Sequence, residues 1–110
     1  MVETKRARYT IGNVVRHRLF GFRGVVYDID PEFDHTDEWY DAIPDNIKPR
    51  KDQPFYHLYA VREDSDFMAY VSEQNLEPDE TGTPVAHPAV NEVFETAEDG
   101  QYKERSPALH

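Results

Sequence analysis

Apolar and polar positions alternate most clearly over residues 11–31, and two strands folded back on each other account for the pattern. Val14, Arg16 and Arg18 alternate with Val15, His17 and Leu19, the two-residue period of a strand. Gly21 and Gly24 bracket a short bend, where positive φ costs glycine nothing. Val25, Val26, Tyr27 and Ile29 supply the β-branched and aromatic residues of a half-buried strand, and Asp30-Pro31 stops it. Further on, 55–62 predicts a third strand, with Phe55, His57, Tyr59 and Val61 on one face and Tyr56, Leu58 and Ala60 on the other. A polar turn at Glu63-Asp64-Ser65-Asp66 leads into a fourth strand over 67–72, and Glu73-Gln74-Asn75-Leu76 reads as one helical turn before a short last strand.

Two segments break this β pattern. Residues 30–54 form a long connection rich in acids: Asp30, Glu32, Asp34, Asp37, Glu38, Asp41 and Asp45. Within it Thr36 is placed to N-cap a short helix carrying Trp39, Tyr40 and Ile43, with Pro44 ending it. The sole tryptophan is better read as an anchor for this loop than as a bare surface residue. Beyond the linker Pro78–Pro84, Ala89, Val90, Val93 and Phe94 share one helical face, with Pro88 near the start. So short a helix needs a surface to dock on, either the β domain or a second subunit. Residues 1–10 read as a basic arm, with Tyr9 placed to pack on the domain, and 100–110 as a mobile end.

The run from Val15-Arg16-His17 through Phe20-Gly21-Phe22-Arg23-Gly24-Val25-Val26-Tyr27-Asp28-Ile29-Asp30-Pro31 resembles the HspQ family, the YccV-like hemimethylated-DNA-binding domain. Pro54-Phe55-Tyr56-His57-Leu58-Tyr59 and Ala69-Tyr70-Val71-Ser72-Glu73-Gln74-Asn75-Leu76 support it in the same order. The likeness covers about residues 11–77, with a shorter echo in the tail. It implies a heat-shock-associated, non-enzymatic factor for AAA+ proteases, Lon in particular, that binds hemimethylated DNA and assembles as a homo-oligomer, a trimer in similar proteins. Gly12-x-Val14-Val15-x-His17-x-x-Phe20-Gly21 also resembles the Tudor-like RNA-polymerase-binding modules of CarD-type regulators, which normally arrive attached to further domains.

Composition narrows the setting. A chain of 110 residues suffices for one domain with a modest core, and eight prolines with a mean hydropathy of −0.82 assign part of it to loop and tail. With no cysteine, disulfides and thiolate metal sites are excluded, which suits a reducing cytoplasm. No stretch reads as a leader or a membrane span. The formal net charge of −10 is uneven: the first 24 residues hold six basic side chains against Glu3 alone, a net of +5. That asymmetry suits a basic contact surface on an acidic body, although a pI near 4.8 argues against strong general affinity for phosphate backbones.

No catalytic constellation emerges. Ser65, Ser72 and Ser106 lie in no nucleophile motif, and the acids follow loops without EF-hand spacing. Gly21-Phe22-Arg23-Gly24 is too short for a phosphate loop and precedes a strand. Among His17, His35, His57, His87 and His110, no pair has helical metal-ligand spacing, and convergence of His17 with His57 reads as two core histidines with ordinary partners. The expected protein is therefore mainly β: a small SH3-like barrel of about five antiparallel strands with a long acidic loop and a short C-terminal helix. Its parts are a basic arm over 1–10, the barrel over 11–78, and a linker, helix and mobile tail over 79–110. No catalytic residue, metal or cofactor is expected, and no membrane partner. Arg16, Arg18, Phe22, Arg23 and Trp39 are the candidate DNA- or partner-binding residues, Tyr56 and His57 are lesser ones, and Val90, Val93 and Phe94 form the candidate oligomer or docking face.

Overall fold

The computed structural model describes residues 7–96 and 100–105. Lys5 and Arg6 of the basic arm, and Ser106 and His110, lie outside the described residues. Five antiparallel strands form the main sheet: β1 (Val14–His17), β2 (Arg23–Asp30), β3 (Phe55–Arg62), β4 (Ser65–Ser72) and β5 (Leu76–Pro78). Their order is β4-β3-β2-β1-β5. A 3₁₀ turn at Glu73–Asn75 carries the chain from one edge of the sheet to the other. The sheet therefore curls like a barrel but is not closed by hydrogen bonds, which corrects the expectation of closure. A three-residue turn leaves β5 just enough chain to pair with β1, and β4 keeps an open edge.

The alternation in β3 is real and feeds two cores. Tyr56, Leu58 and Ala60 join Val15, Val26, Val71 and Leu76 on the inner face, with Tyr9 packed beside them. Val14 and Val25 lie on the outer face, where Tyr27, Tyr59 and Val61 pack against the second core. Gly24 does not sit in the bend. It lies inside β2, where an added Cβ would come 2.9 Å from the Tyr59 carbonyl oxygen and 3.1 Å from Leu58 Cβ. Close approach of β3, not positive φ, is what requires glycine there; Gly21 alone supplies the positive φ of the turn.

The C-terminal segment covers the outer face. Helix α2 (Pro88–Val93) follows Pro88 as predicted, and the His87 ring caps it by accepting from the Ala89 N–H at 3.0 Å. Val90 and Phe94 are buried with Val85 against Val14 and Val25. The helix thus docks on its own sheet. Strand β6 (Phe94–Thr96) then pairs with β7 (Tyr102–Glu104) in a small hairpin. Residues 102–104, placed in a mobile end by the sequence pattern, are held because Tyr102 is buried and its hydroxyl accepts from the Val85 N–H. No helix among the described residues is long and apolar enough to cross a membrane.

Candidate functional site

The acidic connection builds one wall of an apolar trough beside β4. Helix α1 (Asp37–Asp41) starts at Thr36, whose hydroxyl accepts from the Trp39 N–H at 3.1 Å, and Asp37 and Glu38 suit its positive end. Phe33 bonds back to the Lys51 carbonyl, the Tyr40 hydroxyl donates to the Pro49 carbonyl, and the Tyr70 hydroxyl accepts from the Asp34 N–H. Trp39 is half-buried against Phe33, His35 and Tyr70. It pins the loop, as its solitary position suggested.

The opposite wall is the turn after β1. The His17 ring is buried, and its Nδ1 accepts from the N–H groups of Leu19 (3.1 Å) and Phe20 (3.0 Å). Phe20 stacks on the imidazole at 4.5 Å, and Phe22 lies beneath, edge-on to Phe67. Burial holds the His17 pKa below the usual histidine value, consistent with an unprotonated Nδ1 facing two donors.

Between these walls runs a trough of about 450 Å³ whose floor is β4, from Phe67 to Ser72. Trp39, Ala42, Ile43 and Pro44 line one side, Phe20 and Phe22 the other, and among the described residues no lysine, arginine, aspartate or glutamate lines it. The exposed large apolar side chains of the described residues gather here. Phe20 and Met68 line the trough while remaining 47% and 62% exposed, and Leu19 adjoins Phe20 at 59%. Such clustering of bare apolar surface marks interaction sites.

The basic candidates are less available than their number suggests. Arg16 is exposed on β1, opposite Arg23 on one side and Glu77 on the other. Arg18 turns its guanidinium onto the Gln74 carbonyl. Arg23 is bound to the buried carboxylate of Asp79 at 2.7 Å and to the Thr83 carbonyl, so it ties the linker down. Burial alone would raise the Asp79 pKa, but hydrogen bonds from Arg23 and Thr81 outweigh it and hold the carboxyl below its usual value. Tyr56 is fully buried, taking the Tyr9 N–H and donating to Glu73, so no partner can reach it. Phe22 is nearly buried and only edges the trough, whereas Trp39 faces it from across the floor. Val90 and Phe94 are spent on the chain's own core, with Val93 partly buried beside them.

His57 and His17 do not converge; they sit on β3 and β1 with β2 between them. His57 Nε2 lies 3.0 Å from Asp30 Oδ2, which also accepts from the Tyr70 hydroxyl at 2.7 Å. A bulge in β2 between Val26 and Asp28 sets Asp28 opposite His57, so ligand atoms of Asp28, Asp30 and His57 fall within 4.8 Å of one another. As placed, His57 Nε2 and Asp30 Oδ2 are engaged with each other. Helical spacing rules could not find this cross-strand group, since it depends on the bulge.

Residues 7–101 match the family model described as hemimethylated DNA-binding protein YccV like. The chain belongs to the YccV-like family. The match runs past the 11–77 blocks into the C-terminal segment, so Val85, Val90 and Phe94 on the outer face lie within the YccV-like match, which stops just before β7.

Proposed function

We propose that this YccV-like protein is a non-enzymatic, cytoplasmic regulator that binds polypeptide and changes which substrates a Lon-type AAA+ protease degrades. The observation that carries the reading is the trough beside β4: an uncharged apolar channel, flanked by exposed Leu19, Phe20 and Met68, on a chain of net charge −10. An apolar surface on an acidic body favours a protein partner over a phosphate backbone. The heat-shock association implied by the HspQ resemblance fits a surface able to meet exposed apolar chain.

DNA binding is the second reading, supported by the family's description and by the net +5 of the first 24 residues with Arg16 exposed. The test is degradation of a model unfolded substrate by purified Lon-type protease with and without the protein. A rate changed at least about twofold, and restored to baseline by Phe20→Ser, is expected for a surface contact of this kind. No change in rate or substrate choice would overturn the proposal.

A further inference from the structure

We infer that the open edge of β4 takes an extended polypeptide segment as an added strand, with apolar side chains in the trough and basic residues at the segment's ends. The inference rests on the polypeptide-binding reading above and gives its site and ligand class. The backbone supplies the first argument. Glu73 N–H donates to the Pro54 carbonyl at 2.9 Å, which fixes the phase of the β3–β4 ladder. Tyr56↔Val71, Leu58↔Ala69 and Ala60↔Phe67 are then the bonded pairs, and Asp66, Met68, Tyr70 and Ser72 turn their N–H and C=O groups to the open side. Among the described residues no further backbone bond reaches Met68 or Tyr70. A row of outward donors and acceptors in strand geometry is best satisfied by another extended backbone.

The walls supply the second argument. Trp39 and Ile43 on one side and Phe20 on the other bound the trough of about 450 Å³ that runs along β4, which would receive side chains of the added strand.

Charge selects the occupant. Glu38 and Asp41 stand on the loop that forms one wall, and Asp66 sits on the open strand itself. On that wall Lys48 pairs with Asp45 and Lys51 with Asp37, each at 3.5 Å. The rim therefore favours lysine or arginine on either side of an apolar run. A nucleic acid would bring phosphate against this acidic rim.

The probe is a fluorescein-labelled ten-residue peptide, alternating leucine and threonine between paired lysines, titrated with the full chain by anisotropy. Saturable binding is expected, weakened on the order of tenfold when the lysines are replaced by glutamates. Methylating alternate backbone nitrogens of the peptide should abolish it, since that removes the strand bonds and leaves the side chains. Met68→Pro removes one outward N–H without touching the ladder and should weaken binding at least about tenfold. Should that variant fail to fold, Phe20→Ser and amide shifts at Met68 and Tyr70 in the wild type answer the same question. Equal binding of the methylated peptide, or amide shifts confined to other strands, would overturn the inference. So would sedimentation showing a dimer that Met68→Pro dissociates. Peptide binding without any effect on Lon-type proteolysis would uphold this site and sink the proposed function; altered proteolysis without peptide binding would do the reverse.

Discussion

His17 decides the shape of one wall of the trough. Its Nδ1 must keep a lone pair to accept from Leu19 and Phe20, so the turn that displays those two side chains depends on an unprotonated ring. Burial lowers the folded-state pKa below the 6.5 of an unfolded histidine. Between the two values the unfolded chain binds more protons, so stability from this residue is full above pH 6.5 and is lost as pH falls toward the folded-state value. Asp79, also held low, adds a loss of the same sign only below about its ordinary carboxylate range. Urea unfolding of the wild type between pH 7.5 and 5 should therefore show falling stability, and His17→Leu should flatten that part of the slope. It should also cost about 1–2 kcal/mol at neutral pH through two unpaired N–H groups. An unchanged slope in the variant would mean that His17 is not the group responsible.

The β-strands and the helices differ in how far the sequence could reveal them. β3 was legible to the residue because Tyr56, Leu58 and Ala60 alternate with His57, Tyr59 and Val61, and both sets find apolar partners. Thr36 and Pro88 marked helix starts through local chemistry, and both act there. β7 was not legible: Tyr102 is a lone aromatic among polar residues, and what holds it is contact with chain some ninety residues earlier. Tyr102 N–H donates to the Gly12 carbonyl at 2.9 Å, and a Cβ on Gly12 would lie 1.9 Å from the Tyr102 carbonyl oxygen. The bulge at Tyr27 and the open edge of β4 escaped for the same reason, since register and edge position are properties of the assembled sheet. Gly12 thus joins the head of the domain to its C-terminal hairpin at a φ of 96°. Gly12→Ala meets backbone that no rotamer can move and should lower the thermal midpoint on the order of ten degrees or more. A drop of about two degrees or less in calorimetry would mean that β7 does not lie against Gly12.

At the scale of the molecule the question is how an acidic protein in a family described by DNA binding would meet a duplex. Of Arg16, Arg18 and Arg23, Arg23 is committed to Asp79, while Arg16 and Arg18 are exposed, Arg18 with a hydrogen bond to the Gln74 carbonyl. Two exposed arginines, one of them beside Glu77, even with the basic residues of the first eight positions, can neutralise only a few phosphates. Binding to a hemimethylated duplex should then be weak, with log affinity against log salt falling at a slope of roughly −1 to −3 rather than the −5 or steeper of a dedicated binder. Arg16→Ala should lower affinity for methylated, hemimethylated and unmethylated duplexes alike, because a phosphate contact carries no base information. Arg23→Ala should act differently. It strands the buried Asp79 carboxylate, so it should cost about 3 kcal/mol of stability before any effect on DNA is seen. A steep salt slope together with a preference for the hemimethylated duplex that Arg16→Ala erases would move DNA ahead of polypeptide as the ligand of this surface. A shallow slope shared by all three duplexes would leave the trough at β4 as the place where this protein exercises selectivity.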